Sequence, residues 1–158
     1  MAADHKTIEM VLSSVPQQHP FRFIHSILEM DDDHIVGTYR FRDDEYFYKG
    51  HFPEQPITPG VILIETMAQT GVVAFGLYLL MKQGVSSDHM KRLVTLFTMV
   101  DEVEFSGIVY PGEKVIIRGE KVYFRRGNLK TKVSIEREDG EKICYGVLTG
   151  RGVNLHET

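Results

Sequence analysis

The sequence predicts an α+β fold in which one antiparallel sheet packs on a single buried helix. Three observations carry that expectation. Residues 61–81 are apolar on nearly every side, as expected of a helix enclosed by protein. The segments that follow are rich in Val, Ile, Phe and Thr. Turn sequences separate those segments, so hairpins join them and the sheet is antiparallel.

The elements follow in order. Ile8, Val11, Leu12 and Val15 fall at helical spacing, with Asp4 placed to cap the start. Phe23 to Glu29 reads as a strand, Asp31-Asp32-Asp33 as a solvated turn, and His34 to Phe41 as the returning strand. Asp43 to Pro59 is irregular but stiff, because it holds Pro53, Pro56 and Pro59 from a total of six prolines. Pro59 and Gly60 mark the start of the long helix, Val61 to Met81. Gln83 to His89 is a polar connection with no strong preference. Strands are expected at Arg92 to Phe105, Lys114 to Phe124, Leu129 to Glu136 and Glu141 to Leu148. Pro111-Gly112, Arg126-Gly127-Asn128 and Asp139-Gly140 supply the turns between them.

The 158 residues suit one compact domain spanning 1–158. The long helix reaches membrane-spanning length, but Glu65, Thr66, Gln69 and Thr70 argue for burial in protein, not lipid. A net charge of −4, from 18 basic and 22 acidic side chains, gives no basic face for nucleic acid. The single cysteine, Cys144, cannot form an internal disulfide, and its strand position suggests a small buried apolar group. Met1 to Lys6 lacks the pattern of a signal peptide, so the cytoplasm is the expected location. The histidines outside the central motif show no metal-ligand spacing.

The chemistry concentrates between Gly50 and Gln69. Glu65 is the only charged residue between Val61 and Met81. A carboxylate in so apolar a helix is either a protonated or paired functional group, or one that reaches solvent. His51 carries an imidazole suited to proton transfer near neutral pH, but taken alone it reads first as a hydrogen-bonded loop histidine. Gly60 opens a helix whose first N–H groups lack partners, where developing negative charge is stabilised. It also reads as a plain helix-start glycine. Taken together, a base, an oxyanion donor and a second acid or base in an apolar setting are what elimination beside a carbonyl requires.

Gly50-His51-Phe52-Pro53, followed by Pro56, Pro59-Gly60 and Glu65-Thr66-Met67-Ala68-Gln69, resembles the signature of beta-hydroxyacyl-(acyl-carrier-protein) dehydratases. Pro20-Phe21 and the stretch from Asp101 to Gly112 extend the resemblance over nearly the whole chain. The resemblance implies a hot-dog fold, a curved antiparallel sheet wrapped around one long central helix. It implies a homodimer or a trimer of dimers, with the histidine and the carboxylate of each site drawn from opposite subunits. His51 then takes the proton beside the carbonyl, Glu65 helps the beta-hydroxyl leave, and the Gly60 N–H polarises the thioester. Pro59, Val61 and Phe52 flank the substrate. The implied reaction is reversible dehydration of a (3R)-hydroxyacyl thioester to the trans-2-enoyl thioester in fatty-acid or polyketide- and pigment-type chain elongation. The partner is an acyl carrier protein, whose phosphopantetheine arm carries the substrate, and no bound cofactor or metal is implied. Glutamate rather than aspartate at 65 is similar to the branch that only dehydrates.

Three positions depart from the family's pattern. Val15-Pro16-Gln17-Gln18 replaces the usual Leu-Pro-His-Arg, His25-Ser26 the usual Asp-Arg, and Ser106-Gly107-Ile108 the usual Arg-Arg-Pro. These departures are expected to affect tunnel shape, chain length, docking and assembly without touching the chemistry. Lys121, Arg125, Arg126, Lys130 and Lys132 cluster on one hairpin and read as a solvated edge, or alternatively as a docking patch for an acidic carrier protein. A thioesterase of the same fold and a non-catalytic acyl-binding subunit are the competing functions; the first is revealed by free thiol release, the second by loss of His51 or Glu65.

Overall fold

A computed structural model describes residues 1–156. A short helix α1, His5–Ser14, leads in, and Asp4 caps it by accepting from the Thr7 amide. Strands β1, Ser26–Met30, and β2, His34–Arg40, form a hairpin whose turn is held by Asp31, which accepts from the Asp33 and His34 amides. The central helix follows in three windings: α2, Gly60–Ala68; a π-helical segment, Gln69–Ala74; and α3, Phe75–Lys82. A short α4, Ser87–Met90, then leads to β3, Val94–Phe105, β4, Lys114–Arg125, β5, Asn128–Arg137, and β6, Lys142–Val153.

Every pairing is antiparallel, and the six strands lie in the order β1-β2-β4-β5-β6-β3. The central helix lies on one face of this sheet and buries its apolar surface there. One core cluster gathers Phe23, Tyr39, Phe41, Leu63, Met67 and Ile135 around the first half of the helix. A second gathers Val11, Ile24, Met30, Phe75, Tyr78 and Leu79 around the last half and α1. Gly60–Lys82 is long and apolar enough to cross a membrane, yet 72% of its most apolar window is buried inside the protein. The surroundings of those side chains are protein, as the interruption by Glu65 and Gln69 suggests.

The helix presses unusually close to the sheet at its middle. A Cβ added to Gly71 would stand 2.5 Å from a Val133 methyl, and one added to Gly119 would stand 3.3 Å from the Gly71 Cα. Only glycines on both surfaces permit that approach. The π winding sits here: the Phe75 amide donates to the Thr70 carbonyl, five residues back.

Four features depart from the sequence expectation beyond shifts of a residue or two. The first strand begins at Ser26, not Phe23, because the Phe23 amide donates to the Gln69 side chain instead of to the ladder. The last strand runs on to Val153, because β3 pairs with it as far as Val94–Val153 despite Gly150 and Gly152. A Cβ at Gly150 would lie 2.5 Å from Val72, so packing against the helix selects glycine at a place where strand preference does not. The expected connection from Gln83 to His89 contains the start of α4, capped by Ser86 accepting from the His89 amide. The central helix, expected as one uniform winding, carries the π-helical segment instead.

The edge strand β3 has an unusual surface. Leu96, Phe97, Met99, Val100 and Phe105 are each 43–55% exposed. An edge strand so apolar and so long offers unpaired backbone and a sticky surface to another chain.

Candidate active site

His51 sits in the proline-rich segment, which turns back on itself several times. The His51 amide donates to the Phe47 carbonyl at 3.1 Å, and the Ile57 amide donates to the His51 carbonyl at 3.0 Å. Between them, Phe52 and Gln55 exchange two backbone hydrogen bonds, and the Thr58 amide donates to the Val109 carbonyl at 2.9 Å. Tyr48 and Thr58 join hydroxyls at 2.7 Å beneath the loop. The His51–Phe52 peptide bond is cis.

These contacts hold the imidazole in place. Its Nδ1 lies 3.0 Å from the Ile57 carbonyl. A carbonyl only accepts, so Nδ1 carries a hydrogen, and in the neutral ring the lone pair is on Nε2. The Phe52 ring stacks on the imidazole, with centroids 4.1 Å apart and planes 24° from parallel. Phe52 is half exposed.

Gly60 is the first residue of α2, after Pro59. Pro59 is buried, and its carbonyl accepts from the Ile62 and Leu63 amides, which leaves the Gly60 and Val61 amides at the open helix end. A Cβ at Gly60 would meet the Phe105 ring at 3.0 Å, so the sheet's edge strand stands directly against this glycine. Val61 is 72% exposed, projecting away from the core. Phe105 is a residue the sequence motif does not reveal, since its strand is remote in sequence from the helix.

Glu65 lies five residues into α2 and is partly buried. Burial raises its carboxyl pKa above the ordinary value, opposed by the hydrogen bond from Gln69. Gln69 is fully buried and saturates its amide: Nε2 donates to Glu65 Oε1 at 3.0 Å and to the Phe21 carbonyl at 2.8 Å, and Oε1 accepts from the Phe23 amide at 2.6 Å. Gln69 was legible only as the end of the motif; its role as a clamp between Glu65 and the segment before β1 was not.

A cavity of about 40 Å³ opens beside Glu65, between the helix, β3 and Gln17. Val72 and Thr95 line it and also line a second, apolar cavity that continues toward Gly76, Leu77, Leu80 and Phe124. Of the positions that depart from the family's pattern, Gln17 fronts the Glu65 cavity. The reason is the path of the chain: the Arg22 guanidinium donates to the Leu12, Val15 and Gln17 carbonyls and folds this segment onto the helix.

Within one protomer, His51 and Glu65 share no hydrogen bond or ion pair among the described residues, and His51 does not line the Glu65 cavity. The basic hairpin stands elsewhere again. Its Arg125 guanidinium lies 4.7 Å from the Tyr123 ring centroid, and Phe124 and Gly127 border the cavity beside Gly76. At 1.5 Å per residue, Gly76 is about 24 Å along the helix from Gly60. Cys144 is buried, which pushes its thiol up to about 11 and leaves it a small core group. Among the described residues, no group of three or more His, Cys, Asp or Glu is placed to hold a metal ion.

The chain is similar to several known proteins. The 3-hydroxyacyl-[acyl-carrier-protein] dehydratase FabZ of Caldicellulosiruptor bescii is 31% identical over 142 residues, covering 89% of this chain and 94% of that protein. The FabZ of Roseiflexus castenholzii is 32% identical over 142 residues, covering 89% of this chain and 92% of that protein. Among solved structures, the dehydratase heterocomplex ApeI:P from Xenorhabdus doucetiae superposes with a TM-score of 0.76 at 15% identity, over 93% of each chain. A hypothetical thioesterase with coenzyme A from Streptococcus pneumoniae superposes at 0.56 and 16% identity, over 96% of this chain and 98% of that one. At these identities the structures speak for the fold alone: the antiparallel sheet on one central helix is the hot-dog fold. The family model for FabA-like domains matches residues 15–147, and the chain belongs to that family.

Proposed function

We propose that the protein is a hydro-lyase that reversibly removes water from a (3R)-hydroxyacyl thioester on an acyl carrier protein, giving the trans-2-enoyl thioester. The observation that carries this reading is the contrast between two groups. Neutral His51 has its lone pair on Nε2, because Ile57 occupies Nδ1. Glu65 is pushed by burial toward its protonated form. One is placed to take a proton and the other to give one, which is the pairing that an elimination needs.

In the proposed reaction, His51 Nε2 takes the proton from C2. The thioester oxygen gains charge facing the Gly60 amide at the positive end of α2. The C3–O bond breaks as Glu65 gives its proton to the leaving hydroxyl, and water departs. The proton on His51 then returns to solvent or to Glu65. The acyl chain lies in the apolar cavities past Val72 and Thr95, flanked at the other end by Phe52, Pro59 and Val61. The phosphopantetheine arm belongs to the carrier protein, and no step calls for a metal or redox cofactor.

The site is proposed to form between two copies, His51 from one and Glu65 from the other. That His51 and Glu65 share no hydrogen bond and no cavity wall among the described residues of one protomer supports that, as does the apolar β3 edge running past both Gly60 and the Glu65 cavity. Two β3 strands meeting about a two-fold axis would cover this edge. Fatty-acid or polyketide-type elongation, in the cytoplasm, is the proposed setting.

The test is to mix purified protein with 3-hydroxyacyl carrier protein and follow the enoyl product by mass. His51→Ala and Glu65→Ala should each lower the rate about a hundredfold or more. Near-native turnover by either variant removes that residue from the mechanism, and release of free thiol would mark a thioesterase instead.

A further inference from the structure

Strand β4 carries one residue more than β5 near the end of their ladder. Lys121 pairs with Thr131, but the next pair is Tyr123 with Lys130, followed by Phe124 with Leu129, so Val122 is the extra residue. A bulge of this kind reverses the alternation of side chains beyond it. In an unbroken ladder Tyr123 would stand opposite Leu129. With the bulge Phe124 takes that place, and residues directly opposite share one face of the sheet. Leu129 is buried in the second core cluster, and Phe124 packs against that cluster. Tyr123 turns to the other face, where the Arg125 guanidinium lies over its ring, and Val122 is 46% exposed.

Phe124 thereby reaches the cavity that continues from Glu65 past Val72 and Thr95. Room on the helix side of this cavity comes from Gly76. A Cβ there would meet only a Leu129 methyl, at 3.7 Å, which is an ordinary contact. Gly71 and Gly150 differ, since a Cβ on either would stand 2.5 Å from a valine methyl. Those two glycines are closed by packing, whereas Gly76 leaves space unfilled. The free volume at this end is about 20 Å³, little more than a single water needs. Thr95 apart, the described residues that line it are apolar or glycine. Phe124 is half-buried and shares this end with the Gly127 turn, so its ring stands between the apolar space and solvent.

We propose that Phe124 and Gly76 set the length of acyl chain the protein accepts. The chain runs from Glu65 along the helix, its last carbons sit between Gly76 and Leu129, and the Phe124 ring is the end wall. The inference rests on the dehydratase reading above and narrows its substrate to a hydrocarbon tail of limited length with no polar group at its end. Gly76 is eleven residues beyond Glu65, at most about 16 Å along the helix axis. With C–C bonds of about 1.5 Å at about 111°, an extended chain advances roughly 1.3 Å per carbon, so on the order of a dozen carbons past C3 reach the ring. A longer chain must displace Phe124 or leave its end in water beside Arg125 and Arg126. Either outcome forfeits the binding that added methylenes otherwise bring.

The experiment measures kcat/KM for 3-hydroxyacyl carrier proteins of about eight, fourteen and eighteen carbons, whose tails on this spacing end short of Gly76, at it and past it. Wild type is compared with Phe124→Ala, Phe124→Leu and Gly76→Ala. The first opens the end wall, the second thins it while keeping apolar packing, and the third adds a methyl group that fits without moving its neighbours. Phe124→Ala is expected to raise kcat/KM for the longest substrate about tenfold or more, and Phe124→Leu to raise it less. Gly76→Ala is expected to lower kcat/KM for the middle substrate about tenfold, with the shortest within about twofold of wild type in every variant. An unchanged ratio of longest to middle substrate in both Phe124 variants overturns the inference. So does a change of equal size at all three lengths, since these residues would then support packing without measuring the chain. Melting temperatures report folding, and if Phe124→Ala does not fold, Phe124→Leu and Gly76→Ala decide. A wild type that dehydrates none of the three sinks the dehydratase reading and this inference together. An active wild type whose length profile no variant moves sinks this inference alone.

Discussion

Gln69 lies one helical turn beyond Glu65 and donates from Nε2 to Glu65 Oε1 at 3.0 Å, while its own Oε1 accepts from the Phe23 amide at 2.6 Å. One amide thus couples the carboxyl group to the backbone entering β1. Replacing it with Gln69→Leu leaves the Phe23 amide without a partner in the interior, at about 1–3 kcal/mol, and frees the Phe21 carbonyl. The melting temperature should fall by about 2–4 °C for each kcal/mol lost in a chain of this size. The same change removes the hydrogen bond that lowers the Glu65 pKa, so Glu65 keeps its proton to higher pH. The alkaline limb of the kcat/KM profile should then move upward. An unmoved limb would mean that another group sets it.

Glu65 also ties stability to pH. Its folded pKa lies above the ordinary 4.5 because burial favours the neutral form. Between the unfolded and folded values, the folded protein binds the extra proton, so stability falls as pH rises through that window. Below about 4.5 the penalty is absent; above the folded pKa it is complete. Glu65→Gln removes the titration. Its melting temperature should therefore gain on wild type as pH rises from 4 toward 8, with the two closest at the acid end. A gap that does not change with pH would contradict the raised pKa.

The shared-site arrangement makes a prediction that no single-subunit site can match. Mixing inactive His51→Ala and Glu65→Ala proteins under conditions that exchange subunits should restore activity. Each mixed dimer holds one site with both groups intact and one with neither, so it should show about half the wild-type rate. Val100→Lys, which puts a charge on the exposed β3 edge, should shift the protein toward monomer in sedimentation and lose turnover in parallel.

The Arg125–Arg126 hairpin borders the cavity beside Gly76, far along the helix from Gly60. Arg125 already packs over Tyr123. Arg125→Glu with Arg126→Glu should leave the KM for carrier-bound substrate within about twofold, as charges at a distant rim are screened over roughly 8–10 Å. A large rise in KM, relieved by salt, would instead mark the hairpin as the docking patch.

Much of this architecture was readable from residue order because it rests on local chemistry. The Asp4 cap, the Asp31 turn, the Pro59–Gly60 helix start and the hairpins at Gly127 and Gly140 are each fixed by a few neighbouring residues. What escaped the reading depends on contacts between remote segments. Phe23 leaves the strand because Gln69, 46 residues away, claims its amide. The last strand outruns its apolar pattern because β3 pairs with it and Val72 leaves room only for Gly150. The same holds for the site. His51, Gly60 and Glu65 share one motif, whereas Gln17 and Phe105 reach them only through folding.

The six-residue π winding at Gln69–Ala74 accommodates a longer stretch of chain in nearly the same axial length as an ordinary winding. A wide coil of this kind absorbs an inserted residue on the spot, so the halves on either side keep their facing. Shortening the chain by one residue here would let the segment wind uniformly while Glu65 and Leu77 still point where they do. The middle of a core helix is ordinarily the last place to tolerate a change in length. In this protein the extra residue of the wide winding is where the chain could be shortened without re-aiming the carboxyl group.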